Sequence, residues 1–205
     1  MDLPISFVEP WDTWLQKGLR DAKIELNEKW NDCFMSAPIW RFTLAKGLVG
    51  PNAMMGVLMP SVDLVGRQFP LTLAMPITIV EDVPLAHFDA EDVFKNLEGV
   101  ALGALEDGIT QDILKKRLGQ FSFENCTSSG REVASGRLVS VIGKNPVARL
   151  AAMSVRGRSI GSVWSAVLEA DSPLLMVDGL PMGGEILGLF DLSAPIWTTR
   201  LEGIK

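Results

Sequence analysis

The stretch MMGVLMPSVDLVGRQFPLTLAMPITIV, residues 54–80, decides the fold because two strand-like runs flank one short polar turn. Met54–Met59 is apolar throughout and ends at Pro60, and Leu71–Val80 alternates in a period of two. The alternate residues of the second run share one strand face: Leu71, Leu73, Met75, Ile77 and Ile79. Pro76 has no N–H for a ladder, so it predicts an edge strand or a bulge. The short connection predicts an antiparallel pair.

Segments on both sides of this hairpin complete an α/β (α+β) pattern. Ile39–Ala45 predicts a strand before the hairpin, separated from it by glycine and proline turn signals. Apolar residues at helical spacing predict helices over residues 7–26, 27–35, 89–105 and 110–118. Shorter runs predict strands at 163–168 and 174–177 and a helical turn at 184–190. The order predicts a sandwich with a central, mainly antiparallel sheet flanked by helices.

Three local signals add detail to this outline. Ser6 followed by Glu9 predicts a capping box at the first helix, and Gly18 on its buried side predicts close approach by another element. Residues 122–136 are polar and rich in glycine and serine, which predicts a loop. Residues 137–142 fit either a strand or the start of a helix.

Composition limits the class of protein. The chain has 205 residues and is 47% hydrophobic, which is enough for a core. A net charge of −6 argues against a nucleic-acid partner. Cys33 and Cys126 are too few for a disulfide framework, so we expect reduced thiols and a cytoplasmic protein. No secretory signal is visible and no apolar run approaches the roughly 18 residues of a bilayer span, so no membrane insertion is expected.

Motifs for catalysis are missing from the sequence. The one histidine, His87, lies in the turn-like stretch VPLAHFDAED, where we expect a solvated loop residue, and no G-x-S-x-G elbow accompanies it. GRLVSVIGK (136–144) lacks the spacing of a phosphate loop. DGLPMGG (178–184) loosely resembles a motif of metal-dependent phosphatases, but a turn before a helix is the preferred interpretation. We therefore predict no catalytic residue, no metal site and no cofactor.

The polar turn of the hairpin is the main candidate for function. Asp63 and Arg67 lie four residues apart with Gly66 between them, so they can pair across the loop. An exposed pair of this kind contributes little to stability, which leaves loop scaffold and partner contact both open. Ser61 has no general base near it in sequence.

The pentapeptide SAPIW occurs at residues 36–40 and again at 193–197. One interpretation is two similar helix-to-strand exits, with Trp40 and Trp197 packed inward. The other is that one copy mimics the other in a paired arrangement.

Three blocks resemble the TagF family, also called ImpM, of accessory proteins in bacterial type VI secretion. They are FVEPWDTWL (7–15), SAPIWRF (36–42) and GVLMPSVDLVGRQFPLTLA (56–74), and they come in the family's order. Residues 1–80 carry the match, SVWSAVL (162–168) is weakly similar, and residues 137–205 diverge.

The resemblance implies a single TagF-like domain over residues 1–205, with a sandwich like the longin or profilin folds. It implies a cytoplasmic, non-enzymatic regulator that represses the secretion apparatus post-translationally by binding the forkhead-associated scaffold protein Fha. The family-like positions of the interaction surface are Ser61, Asp63, Gly66, Arg67 and Pro70, with Trp40 and Arg41 beside them.

Two other functions stay open. In a small-ligand sensor, Arg67 would clamp an anionic metabolite in a pocket lined by Met54, Met55 and Met59. A hydrolase would use Ser61 or the aspartates near Asp178, and it ranks last.

Overall fold

The architecture comes from a computed structural model, which describes residues 3–63, 65–77, 83–105, 111–118, 131–135, 138–142, 159–169 and 172–198. The helices are α1 (Ile5–Leu26), α2 (Trp30–Ser36), α3 (Val83–Asp89), α4 (Glu91–Gly103), α5 (Gln111–Leu118), α6 (Gly184–Phe190) and α7 (Pro195–Thr198), with a 3-10 turn at Asn27–Lys29. The strands are β1 (Trp40–Leu44), β2 (Ala53–Val62), β3 (Gln68–Ile77), β4 (Arg131–Ser135), β5 (Leu138–Ile142), β6 (Ser162–Ser165) and β7 (Leu174–Val177).

An open five-stranded antiparallel sheet forms the centre, in the order β3-β2-β1-β6-β7, and β4 pairs with β5 in a separate hairpin. The expected meander of β1, β2 and β3 is confirmed, and β3 with Pro76 lies at the sheet edge as predicted. The β2–β3 ladder runs from Ala53↔Ile77 to Val62↔Gln68. The fold is therefore the predicted α+β class.

Strand alternation divides the core into two layers, because successive side chains point to opposite faces of a sheet. One face of β1, β2 and β6 packs on α1, α2 and α6 through aromatic residues. Trp11, Phe42 and Trp164 lie together there, with ring centroids 4.8 to 6.1 Å apart. The other face of β2 and β3 packs on α4 through aliphatic residues and Phe94. Helices thus cover both faces of the sheet.

Two glycines make close packing possible on the aromatic face. A Cβ on Gly18 would overlap the Ile186 side chain, so the glycine lets α6 approach α1, as the sequence predicted. A Cβ on Gly56 would lie 2.6 Å from the Phe42 ring and would also collide with the β3 backbone. Any larger residue at either position displaces a neighbour.

Several local predictions were wrong. Helix α1 begins at Ile5, so Ser6 lies inside the helix, and the N-cap residue is Pro4, whose side chain has no hydrogen-bond acceptor. The Pro4 carbonyl accepts the N–H groups of Phe7 and Val8 instead. His87 is not a solvated loop residue but a buried residue of α3. All residues from Val83 to His87 are buried, so this short helix has no polar face from which periodicity could be read.

The second half of the chain gives mixed outcomes. Residues 131–135 of the expected loop form β4, while residues 122–130 lie outside the described residues. Of the two alternatives for residues 137–142, the strand is correct, as β5. The first SAPIW leads from α2 into β1, but the second begins α7 and is not a strand exit. The Trp40 and Trp197 rings nevertheless stack with centroids 5.9 Å apart; Trp40 is buried and Trp197 is half-buried.

Candidate functional site: the β2–β3 hairpin and its groove

The loop that closes the β2–β3 hairpin is organised around the Asp63 carboxylate. Its Oδ1 accepts the backbone N–H groups of Val65 at 3.0 Å and Arg67 at 2.8 Å. Its Oδ2 accepts Nε of the Arg67 side chain at 2.6 Å. The Asp63 N–H donates to the Arg67 carbonyl, and the Gly66 N–H donates to the Asp63 carbonyl. Asp63 therefore holds the loop together, and the expected pairing with Arg67 is present.

The electrostatics and the backbone of this loop agree with that role. The Arg67 N–H, followed by the Arg67 guanidinium and the Val65 N–H, lowers the pKa of Asp63 below its ordinary value, since all three favour the charged carboxylate. Gly66 has a φ of +81°, a left-handed conformation that L-residues rarely adopt. The loop thus needs both the aspartate and the glycine to keep its shape.

The outer surface of the hairpin exposes one charge and several apolar side chains. The side chain of Arg67 is 81% exposed, whereas that of Asp63 is 22% exposed. Val62, Val65 and Phe69 are exposed beside it, and Ser61 is half-buried in the ladder opposite Phe69. Asp63 is therefore the scaffold of the loop, and Arg67 is the group available to a partner.

A groove of about 520 Å³ runs between this hairpin and the end of α1, and we call it the basic groove. Its lining residues are Leu19, Arg20 and Lys23 from α1, Trp30 from α2, and Gly66, Arg67 and Gln68 from the hairpin. Arg20 and Lys23 were not predicted as site residues. Their spacing of three residues on the polar side of a predicted helix was a signal, but only the tertiary structure brings them to Arg67.

Trp40 and Arg41, expected beside the hairpin surface, are buried in β1. The Trp40 indole donates to the Leu189 carbonyl at 2.7 Å. The Arg41 guanidinium donates to both carboxylate oxygens of Glu98, at 2.6 and 2.9 Å, and to Glu91 at 2.7 Å. These contacts hold the sheet to α4 and α6, so the two side chains lie inside the fold and not on the hairpin surface.

Arg41 stays charged although it is buried. Burial opposes the charge, but the Glu98 hydrogen bond and the charges of Glu98 and Glu91 outweigh it and raise the pKa of Arg41. The guanidinium also lies 5.5 Å from the centroid of the Phe94 ring. The side chain of Glu98 is 20% exposed and that of Glu91 is 47% exposed, so solvent screens the contact with Glu98 less.

A second buried polar group joins β1, α3 and β6. His87 is hydrogen-bonded through Nδ1 to the Thr43 hydroxyl at 2.9 Å and through Nε2 to the Ser165 hydroxyl at 2.8 Å. Burial, followed by the charge of Arg41, lowers the pKa of His87 to about 3, so the imidazole is neutral. A serine beside a histidine is the start of a nucleophile–base pair, but a threonine stands where a carboxylate would orient the base. Such a weakly basic histidine serves the packing of α3 on the sheet.

The remaining candidates for chemistry are dispersed. Ser61 shares no hydrogen bond with His87, whose two ring nitrogens are engaged elsewhere. DGLPMGG forms a turn that leads to Gly183 as the residue before α6, and no three metal-ligating side chains converge within the described residues. Of the aspartates near Asp178 that a hydrolase would use, Asp171 lies outside the described residues, as does Cys126. Cys33 is a half-buried free thiol.

The pocket expected for an anionic metabolite differs from the one in the structure. Met54 packs in the aromatic layer, and Met55 and Met59 pack in the aliphatic layer on the opposite face. None of them reaches the surface near Arg67, whose cavity is lined by α1, Trp30 and the hairpin. The methionines are core residues because β2 is an inner strand that is covered on both faces.

An open antiparallel sheet with helices on both faces defines an α+β sandwich. Residues 1–121 match the sequence profile of the TagF N-terminal domain, which is type VI secretion system-associated. The chain belongs to this family.

A solved structure is also similar to the chain. The crystal structure of PA0076 from Pseudomonas aeruginosa PAO1 is 30% identical in sequence and superposes with a TM-score of 0.74. The alignment covers 94% of this chain and 87% of that chain, so it includes the divergent second half. No curated protein sequence matches the chain. A membrane-spanning helix is absent from the part of the chain that the structure describes.

Proposed function

We propose that this chain is a non-enzymatic, cytoplasmic accessory protein of type VI secretion that represses assembly or activity of the apparatus post-translationally. In this proposal it acts by binding the forkhead-associated scaffold protein Fha. The observation that carries the proposal is membership of a type VI secretion-associated family over residues 1–121. The resemblance of the three sequence blocks supplies the partner.

The contact surface in this proposal is the hairpin from Pro60 to Phe69. Arg67 supplies an exposed charge, and Val65 and Phe69 supply exposed apolar area next to it. Ser61, Asp63 and Gly66 shape the loop that presents them. A loop fixed by its own hydrogen bonds loses little conformational entropy on binding, which favours a contact surface.

The test is a pull-down and a titration of the purified chain against the Fha-type scaffold. Arg67→Ala should weaken binding by severalfold and leave the melting temperature within the error of the wild type, because this side chain is mostly exposed. The Asp63→Ala/Arg67→Ala double variant should weaken binding further, since it also releases the loop. Lys46→Ala, an exposed cation in the β1–β2 connection, is the matched control and should bind like the wild type.

Repression itself is measured as secreted effector in cells that carry each variant. Arg67→Ala should release secretion if the hairpin contact mediates repression. If Arg67→Ala lowers the melting temperature but still binds the Fha-type protein, Arg67 stabilises the loop and is not part of the contact surface.

A small anionic-ligand sensor that uses Arg67 is the second candidate. The observation that favours it is the basic groove, where Arg67 lies with Arg20 and Lys23. Binding of a free anion such as phosphate or citrate, detected by calorimetry and lost in Arg67→Ala, would support it.

A further inference from the structure

The charged side chains of the basic groove are opposite in sign to the net charge of the molecule. The chain as a whole carries a net charge of −6. The charged side chains that line the groove are all cations: Arg20, Lys23 and Arg67. Such a reversal favours an anionic partner at this site and repels the rest of an acidic surface.

The carboxylates nearest to these cations leave some of their nitrogen atoms available for a further anion. Asp21 approaches Nε of Arg20 only to 3.7 Å, and both side chains are largely exposed. Asp63 engages Nε of Arg67 and thereby fixes the direction of the guanidinium. Within the described residues, no carboxylate bonds the terminal nitrogens of Arg67 or the Lys23 ammonium.

The groove is preorganised by contacts between its walls. The Gln68 side chain accepts the Trp30 indole N–H at 2.6 Å and donates to Asn31 at 2.8 Å, which ties the hairpin to α2. Trp30 is itself packed against Phe34 and Phe190, with ring centroids 5.2 and 5.5 Å away. Trp30, which is 6% exposed, is therefore held in place at the floor of the groove, and a bound segment would not have to order it.

The exposure of the cations distinguishes between two kinds of anion. The side chains of Arg20 and Arg67 are 69% and 81% exposed, so solvent screens each charge. A single small anion gains little from such contacts. A chain segment with several carboxylates makes many of them at once, and its apolar side chains can cover Leu19 and Trp30 in the groove and Val65 beside it.

We propose that the basic groove binds an extended acidic segment of a protein partner, with aspartate and glutamate side chains on Arg20, Lys23 and Arg67 and an apolar side chain over Trp30. The groove and its acidic ligand stand on the geometry alone, and only the identity of the partner as the scaffold protein rests on the proposed function. The site adds the end of α1 to the hairpin surface.

The experiment uses the full chain and a fluorescein-labelled synthetic peptide that is rich in aspartate and glutamate with one central leucine. The control peptide has asparagine and glutamine in their place. Binding is followed by fluorescence polarisation at low and at physiological salt for the wild type, Arg20→Glu, Lys23→Glu and Lys46→Glu. Lys46 lies in the β1–β2 connection, at the other end of β2 from the hairpin loop, so Lys46→Glu is a matched charge reversal outside the groove.

The expected result is that the acidic peptide binds the wild type and Lys46→Glu equally. Arg20→Glu and Lys23→Glu should each bind about tenfold more weakly, because each replaces an attraction by a repulsion. The affinity should fall as salt is added, and the asparagine–glutamine peptide should not bind. Circular dichroism should show the same fold for all variants, since each substituted side chain is exposed.

Three results would overturn the groove: no binding of the acidic peptide, equal loss in Lys46→Glu, or displacement of the peptide by millimolar phosphate that itself binds the groove. The scaffold protein is titrated with the same variants. If Arg20→Glu and Lys23→Glu bind the scaffold protein like the wild type, the groove is not its binding site, and the proposed function stands. If the peptide binds in the groove but the scaffold protein does not bind the chain, the proposed function is wrong, and the proposal that the groove binds acidic segments stands.

Discussion

At the residue scale, His87 joins three elements through two hydroxyl groups, and its burial disfavours a second ring proton because that proton would bring a charge into the core. Both ring nitrogens are within hydrogen-bond distance of Thr43 and Ser165, and only 2% of the residue is exposed. Arg41 adds a positive charge to the same layer, while its own partners Glu91 and Glu98 keep that charge compensated. A second positive charge on His87 would have no such partner.

This arrangement predicts that the free energy of unfolding depends on pH through the protonation of one residue, His87. The ordinary pKa of histidine, 6.5, applies to the unfolded chain, and the pKa of folded His87 is about 3. Between these values the unfolded chain binds one more proton than the folded one, so stability is complete above pH 6.5 and falls as the pH is lowered. Urea unfolding should show a loss of about 2 kcal/mol between pH 7 and pH 5, at about 1.4 kcal/mol per pH unit below the ordinary pKa.

The control for this prediction is His87→Gln, which keeps a hydrogen-bonding side chain that does not titrate. The chain has a single histidine, so the slope in this pH range should largely disappear in that variant. An equally steep loss of stability in His87→Gln would show that other groups cause it.

At the element scale, the packing of α6 on α1 depends on a missing side chain. The space that a Cβ would occupy on Gly18 is filled by Ile186 of α6. Gly99 in α4 is also a helical glycine, but it is exposed and a Cβ there would meet nothing within 4 Å. The two positions therefore separate the packing effect from the intrinsic helix propensity.

Alanine substitutions at the two glycines should have opposite effects. Gly99→Ala should raise the free energy of unfolding by about 0.5–1 kcal/mol, because alanine has the higher helix propensity. Gly18→Ala should lower it by about 1 kcal/mol, since overpacking of about 1–3 kcal/mol exceeds that gain. Ile186→Val, which removes the overlapping methyl group, should restore most of the loss in a double-mutant cycle. Stabilisation by Gly18→Ala in chemical denaturation would mean that Ile186 moves aside freely.

Elements with clear periodicity could be predicted from the sequence, and their neighbours in space could not. The alternation of Leu71–Val80 predicted β3, the short connection predicted its pairing with β2, and Pro76 predicted an edge position or a bulge, of which the edge position is correct. Helix α3 was not predicted, because its first five residues, Val83 to His87, are all buried and show no alternation of apolar and polar faces. The pairing of β6 with β1 was not predicted either, since no local pattern specifies a partner more than a hundred residues away.

The candidate site divides in the same way. Asp63, Gly66 and Arg67 lie in one turn, so their pairing could be predicted from spacing. The basic groove could not, because Arg67 meets Arg20 and Lys23 only when the hairpin packs beside α1. Trp40 and Arg41 belong to the family block SAPIWRF (36–42), and the resemblance implied a place beside the hairpin surface, whereas both are buried in β1, an inner strand.

At the scale of the whole molecule, the two ends of the chain share one core. The aromatic layer combines Trp11 and Phe42 with Trp164, and Trp30 with Phe190. Strand β1 has β2 on one side and β6 on the other. The segment that carries the family match, residues 1–121, therefore lacks Trp164, Phe190 and the other buried residues of the second half that complete the aromatic layer.

A fragment of residues 1–121 should consequently fail to fold cooperatively, although it contains the whole hairpin. We expect red-shifted tryptophan fluorescence, binding of a hydrophobic dye and no sigmoidal thermal transition, in contrast to the full chain. Addition of residues 159–205 as a separate polypeptide should restore part of the transition. A cooperative transition of the fragment alone would show that β6, β7 and α6 are dispensable for the core.

The strand order also has a consequence during synthesis on the ribosome. The side of β1 that pairs with β6 has no partner until more than a hundred further residues have been translated. At roughly 5–20 residues per second, the nascent chain carries an open strand edge beside exposed tryptophans for on the order of ten seconds. Because this edge stays unpaired for that interval, we expect a translational pause between β3 and β6 to lower the yield of folded protein.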